Sequence, residues 1–430
     1  MIWNEKIETM PRGELEQLQD KRLRSLVKTL AAKVPFYEVN FRENDIDPDT
    51  FKGLEELHKL PFTHKSDLRD HYPFGLFAEP MDKVARIHAS SGTTGKPTVV
   101  GYTKNDLDNW AEVCARSFAL SGAKPGQMFQ NAYGYGLFTG GLGMHYGAER
   151  MGLTVIPVSG GNTARQILLL QDFKPDILAC TPSYALTLAD RIIEEGIDFS
   201  ELNLKTLILG AEPWTEEMRQ AVEEKLPVNA VNIYGLSEII GPGVSNECVE
   251  AKNGSHVFED HFIVEAVDPQ TGVPVPDGEI GELTFTTLTK EAIPLLRYRT
   301  GDLASIDRGT CICGRTHARM SRIIGRRDDM LIIRGVNVYP SQIETVILGQ
   351  KALGPHHQIV LSRKGHLDHV EVLAESREGL TPSAREEATD LLRKGLAEML
   401  GLNVPVRVED PGVLPRSEGG KLSRVIDKRI

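Results

Sequence analysis

Apolar residues recur at helical spacing between residues 13 and 33, where Leu15, Leu18, Leu26, Val27 and Leu30 share one face, predicting an amphipathic helix. The same period returns from about Pro382, with Ala388, Leu391, Leu392, Leu396 and Met399 in register. Beyond His88 the pattern changes. Short β-rich runs at residues 153–158, 177–180 and 206–209 alternate with helical stretches, and the last two are near-continuous apolar strings. Such strings suit strands buried on both faces of a largely parallel sheet. Polar turns at residues 160–163 and 210–213 follow directly on strands, where open α/β sheets receive their ligands. Residues 262–285 then read as strand-rich, with turns at 269–272 and 276–278.

A charged run at residues 325–329 predicts a boundary that divides the chain into domains 1–327 and 328–430. Behind it, the runs 358–361 and 369–373 flank Gly365 like a hairpin, and residues 414–424 have the composition of a loop. The expected fold class is α/β, a large N-terminal domain with mostly parallel sheets and a small C-terminal α+β domain. At 430 residues, 40 % apolar and 25 % charged, the chain is long enough for two or three folding units. A net charge of −11 argues against a nucleic-acid partner, which needs a basic face. No apolar run approaches the roughly 20 residues that span a bilayer, and no secretory signal is visible. Five cysteines make no disulfide framework. A cytoplasmic enzyme with no membrane partner is expected.

The richest chemistry lies in Ser90, Ser91, Gly92, Thr93, Thr94, Gly95 and Lys96. Glycines let backbone N–H groups approach an anion, hydroxyls add donors, and lysine adds a mobile charge. The spacing is not that of the Walker loop, since two residues separate Gly92 from Gly95 and Pro97 follows the lysine. Taken alone, the string also reads as a polar turn.

Four further strings follow in order: Tyr234-Gly-Leu-Ser-Glu238, Tyr298-Arg-Thr-Gly-Asp302, Gly325-Arg-Arg-Asp-Asp-Met-Leu-Ile-Ile-Arg-Gly335 and Pro415-Arg-Ser-Glu-Gly-Gly-Lys421. Together the five resemble the adenylate-forming superfamily of acyl-CoA synthetases, luciferases and peptide-synthetase adenylation domains. Within it the chain is most similar to the phenylacetate–CoA ligases, on Val34-Pro-Phe-Tyr37, the ending Lys96-Pro-Thr98, the glycine-rich stretch 131–143 and Arg334-Gly-Val-Asn-Val-Tyr-Pro340. Thr98, Ser237 and Gly420 depart from the wider superfamily and agree with that branch.

The resemblance implies ATP-dependent ligation of an aryl-acetic or aryl acid to coenzyme A, through an acyl-adenylate, with release of AMP and pyrophosphate. It also implies an adenylate-forming N-terminal domain and a mobile C-terminal one. ATP, Mg2+ and CoA are the implied cofactors and partners, with a homodimer left open. Ser90 to Lys96 would hold the β- and γ-phosphates, and Glu238 would bind Mg2+, a hard ion suited to carboxylate oxygen. Tyr234 with Gly210, Ala211, Glu212 and Pro213 would border adenine, with Gly235 and Ser237 beside them. Asp302 would take the ribose hydroxyls, and Arg326 would add a cationic contact. Lys421 is the implied catalytic cation of adenylation, and Asp328 matches the hinge. Gly335 would let the pantetheine arm pass, with Arg334 and Asn337 as weaker candidates for the second pose. The acyl pocket would comprise Tyr135, Phe138, Gly140, Gly141, Ala211, Ile233, Gly235 and Pro242. Plainer readings stand beside these: Glu238 as a helix-start carboxylate, Asp302 as a turn residue, Lys421 as a solvated lysine. Two rival functions stay open, a related ligase for another acid (benzoate, indoleacetate, a cofactor carboxylate) and a catalytically silent nucleotide-binding protein.

Cys248, His256, Cys311 and Cys313 offer a three-cysteine, one-histidine set that suits structural zinc, with His261 as an alternative to His256. Isolated cysteines are also common apolar core residues, the reading given to Cys114 and Cys180.

Overall fold

The structure, a computed structural model, describes residues 1–90, 97–327, 330–333, 336–364, 367–418 and 422–429. The first long helix spans Arg12–Lys33 and buries Leu15, Leu23, Leu26, Val27 and Leu30. It stops at Val34, which is extended because Pro35 follows.

The large domain is organised by a sheet that has nine strands among the described residues. Thr154–Ile156, Met128–Asn131, Ile177–Cys180, Thr206–Gly210 and Asn229–Leu236 lie side by side and pair in parallel. Ile177–Cys180 and Thr206–Gly210 are buried at every position, as their unbroken apolar runs require. Crossover helices Thr163–Phe173, Pro182–Glu194 and Glu216–Lys225 start on polar caps, where Asn162, Thr181 and Thr215 accept from backbone N–H groups.

At Asn229–Leu236 the pairing changes sign. Its other neighbour, Gly241–Glu247, is antiparallel, because the link of residues 237–240 is too short for a crossover. The parallel character is thus confined to one flank; Ser255–Val257, Arg319–Met320 and Ile306–Asp307 extend the other flank in antiparallel pairs. A second sheet, Phe262–Val267, Gly281–Thr287, Tyr298–Ala304 and Gly325–Arg326, is antiparallel throughout and brings Asp302 opposite Arg326.

In the small domain, Leu353–Lys364 and Leu367–Ser376 form the expected hairpin, closing at Lys364 and Leu367. Val406–Glu409 and Val425–Asp427 add parallel strands at its two edges, which no sequence signal announced. Helix Pro382–Leu400 packs Ala388, Leu392 and Leu396 onto this sheet's own apolar cluster with Ile343, Ile347, Ile359 and Val372. Leu348 instead joins the cluster of the large domain that holds Leu186 and Met218. Among the described residues, no helix is long and apolar enough to cross a membrane.

Candidate active site

The candidate site is built at the carboxyl ends of the parallel strands. Thr206–Gly210 runs into Ala211, which adopts φ +72°, a left-handed conformation costing a non-glycine residue about 1 kcal/mol. Strained backbone of this kind persists where its surroundings hold it. Gly210 lies opposite Ile233, and a Cβ on Gly210 would stand 2.3 Å from the Ile233 carbonyl oxygen. Gly235 pairs with Pro242, where a Cβ would meet the Gly241 carbonyl oxygen at 1.9 Å. Side chains are excluded here by backbone on the far side.

Beside this floor, the Tyr234 hydroxyl donates to Asp302 Oδ2 at 2.7 Å and its ring stacks on Phe285. Burial and the Asp302 charge push the Tyr234 phenol well above its ordinary pKa, so it stays a donor. Arg326 Nη1 donates to Asp302 Oδ1 at 3.2 Å. Glu238 is 5 % exposed and lies 3.8 Å from Lys65 Nζ. Burial, and after it the Glu238 charge, raises the pKa of the neighbouring Tyr298 phenol. Lys290 Nζ donates to the Glu238 carbonyl at 3.1 Å. Burial pulls Lys290 down to about 8, against the opposing charges of Asp106 and Glu238. Ser237 Oγ lies 3.0 Å from Thr139 Oγ1, tying this turn to the glycine-rich stretch.

Ser90 forms the neck of the expected phosphate loop: its N–H donates to the Thr98 carbonyl at 2.9 Å, and its Oγ accepts from Thr98 N–H. Ser91, Gly92, Thr93, Thr94, Gly95 and Lys96 lie outside the described residues, as do Asp328, Arg334, Gly335 and Lys421. The side chain of Asn337 does too. Lys421's neighbour does reach the site: Leu422 N–H points at Glu212 Oε2 at 3.4 Å, while Glu212 Oε1 accepts from Ser183 N–H at 2.6 Å. Pro213 is exposed beside Glu212.

The expected acyl-pocket residues fall into two groups. Ala211, Ile233, Gly235 and Pro242 share the strand ends, and the Pro242 carbonyl accepts from Trp110 Nε1 at 2.9 Å. Tyr135, Phe138, Gly140 and Gly141 sit on the glycine-rich stretch, which Ala89 N–H joins to the loop neck through the Leu137 carbonyl. The Tyr135 hydroxyl is fixed between Asn131 Nδ2 at 2.8 Å and His145 Nδ1 at 3.1 Å. A Cβ on Gly141 would stand 2.5 Å from the Gly134 carbonyl oxygen, and one on Gly140 would meet the Phe138 ring.

Away from this site, Cys248, His256, Cys311 and Cys313 converge, their ligand atoms all within 4.8 Å of one another. Cys248 and Cys311 Sγ are 3.7 Å apart, and Cys313 Sγ is 3.5 Å from His256 Nε2. These spacings are far too long for a disulfide. They match the edges of a zinc tetrahedron, about 3.8 Å for S···S and about 3.5 Å for S···N. His261 is no part of the cluster; it faces Asp260 and Thr289. Cys114 and Cys180 are fully buried, as core residues should be.

The sequence matches the AMP-binding enzyme family over residues 16–288 and the AMP-binding enzyme C-terminal domain over residues 335–429. The chain belongs to the AMP-binding enzyme family. It is 56 % identical to the phenylacetate-coenzyme A ligase of Thermus thermophilus, covering 100 % of both chains. Its fold superposes on 2-hydroxyisobutyryl-CoA ligase in the postadenylation state, in complex with R3-HIB-AMP, with a TM-score of 0.91 at 28 % identity, over 99 % of this chain and 92 % of that one. For the same ligase with 2-HIB-AMP and CoA in the thioesterification state, coverage is equal, identity is 29 % and the TM-score is 0.73. Sequence and coverage being matched, the difference lies in arrangement, and this AMP-binding enzyme is arranged as the first.

Two groups near the site of this AMP-binding enzyme were missed in the sequence. Lys290 follows an ordinary strand end, and nothing local signals that it is buried beneath Glu238. Lys65 opens a short helix and reads as a surface cation. Tyr298 was in view as the first residue of the string ending at Asp302, but its place beside Glu238 needs the second sheet.

Proposed function

We propose that this enzyme ligates phenylacetate, or a close aryl carboxylic acid, to coenzyme A through an acyl-adenylate, giving AMP and pyrophosphate. The observation that carries the reading is convergence: Tyr234, Glu238, Tyr298, Asp302 and Arg326, from separate stretches, meet at one set of strand ends in a chain with a full-length phenylacetate-coenzyme A ligase relative. In this reading Asp302, held by Tyr234 and Arg326, accepts the ribose hydroxyls. Tyr234 borders adenine, with Gly210, Ala211, Glu212 and Pro213 as the opposite edge. Ser90 to Lys96 hold the β- and γ-phosphates. The aryl ring occupies the slot between Tyr135, Phe138, Gly140 and Gly141 and the strand ends at Ala211, Ile233, Gly235 and Pro242.

Glu238 fits a magnesium site: its carboxylate is a hard donor, set beside the Tyr298 phenol and flanked by the ammonium of Lys65. Mg2+ would offset charge on the phosphates as pyrophosphate departs. Lys421 then brings a cation to the α-phosphate, carried there by the tail whose Leu422 touches Glu212. Residues 1–327 and 328–430 act as the two domains, with Asp328 as hinge and Gly335 leaving room for pantetheine in the second pose.

The test separates the steps. Phenylacetate-dependent exchange between pyrophosphate and ATP should be robust in the wild type and abolished in Lys421→Ala. The same variant should still make thioester from supplied phenylacetyl-adenylate and CoA. Normal exchange in Lys421→Ala removes that lysine from the mechanism; no exchange in the wild type across aryl acids removes the proposed function.

The cysteine–histidine cluster is proposed as a structural zinc site, on the match of its edges to a zinc tetrahedron. Purified protein should contain about one zinc per chain, and Cys311→Ser should lose it with a lower melting midpoint. Protein with far less than one zinc, unchanged in stability by a chelator, defeats the assignment.

A further inference from the structure

Among the described residues, the contacts between the domains include a polar side-chain pair largely shielded from water. His356, on Leu353–Lys364 of the small domain, places Nε2 2.9 Å from Oδ2 of Asp190, on helix Pro182–Glu194 of the large domain. The two side chains are 10 % and 22 % exposed. Asp190 Oδ1 is meanwhile paired with Lys225, at the end of helix Glu216–Lys225 in the large domain.

We propose that His356 and Asp190 form a releasable clasp that positions the small domain for adenylation and parts before CoA attacks. This rests on the reading that one small domain serves two poses in turn.

Other contacts cross the same boundary: Leu422 N–H reaches Glu212 Oε2 at 3.4 Å, at the long limit of a hydrogen bond, and Ser341 Oγ donates to the Ile324 carbonyl. Arg377 and Glu224 lie 3.3 Å apart but are 46 % and 61 % exposed, and exposed pairs contribute little. Leu348 packs among large-domain apolar residues, and Arg424 rests on the Met218 sulfur. Such contacts favour closure without defining an angle. A hydrogen bond to a shielded carboxylate is directional and stronger. Its release is also feasible. Breaking a buried pair is costly when a charge is left without a partner. Here Asp190 retains Lys225 when the small domain leaves, and His356 passes into water as an ordinary imidazole. Burial lowers the His356 pKa more than Asp190 raises it, so the ring enters the clasp neutral, as a donor.

The experiment compares half-reactions in full-length protein whose folding is checked by thermal melting. Wild-type exchange with phenylacetate, and wild-type thioester formation from phenylacetyl-adenylate and CoA, establish the underlying reading independently of the clasp. His356→Ala should slow exchange about tenfold, the scale of one charge-assisted hydrogen bond, with thioester formation unchanged or faster. His356→Gln, which keeps an N–H donor, should recover most of the exchange, and Arg377→Ala should change neither step by more than about twofold. Equal loss of both half-reactions in His356→Ala, or exchange within about twofold of wild type, overturns the clasp. If His356→Ala is unfolded at the assay temperature, His356→Gln decides: exchange near wild type supports the clasp, and selective loss of thioester formation overturns it.

Discussion

At the level of single residues, the candidate site is a set of charges held apart by what surrounds them. Asp302 is bracketed by a phenol and a guanidinium, and Glu238 by a phenol and two lysines. Lys290 is the costly member of this set. Its folded pKa of about 8 is below that of an ordinary lysine, so between pH 8 and 10 the unfolded chain binds more protons than the folded one. Its cost to stability is therefore full below pH 8 and relieved as pH rises toward 10. Lys290→Met, which cannot titrate, should lack this contribution. The melting midpoint of the wild type relative to Lys290→Met should climb between pH 7 and 10. Parallel pH profiles for the two proteins would contradict the burial of a charged lysine.

At the level of elements, the large domain is held by a buried electrostatic joint. Helix Lys104–Leu120 carries Arg116, which pairs with Asp260 at 2.8 Å, both side chains nearly sealed from water. Asp260 is held well below the usual carboxylate range: burial pushes it up, and His261 and Arg116 outweigh that. Removing Arg116 takes away a bidentate partner and leaves the buried Asp260 carboxylate with His261 alone at ion-pair distance among the described residues. Arg116→Met should cost about 3–5 kcal/mol by urea denaturation. A loss under about 1 kcal/mol would show that the joint admits water. The proposed zinc site at the cysteine–histidine cluster would have a similar role. With zinc bound, it would tie the turn bearing Cys311 and Cys313 to Cys248 and to His256 on Ser255–Val257, across a gap in sequence that spacing alone cannot bridge.

For the whole molecule, the helix at Arg12–Lys33, the buried strands Ile177–Cys180 and Thr206–Gly210, and the hairpin around residue 365 were legible because period and unbroken apolar runs are local properties. The antiparallel flank beyond Asn229–Leu236 was not, nor were the edge strands Val406–Glu409 and Val425–Asp427. Each depends on a partner strand distant in sequence. The order of the motifs sufficed to indicate the chemistry of an AMP-binding enzyme, since that chemistry demands particular side chains whatever path the chain takes between them. Which of those side chains touch was decided by the fold. Tyr298 comes beside Glu238, Lys290 lies beneath it, and three cysteines and a histidine converge within 4.8 Å, because two sheets and their helices pack in one way. His356 meets Asp190 across the two domains, a contact that neither stretch of sequence announces. The sequence by itself determined the donors, the acceptors and the periodic faces. Tertiary structure decided their distances and burial, and with these the strength of every charge in the site.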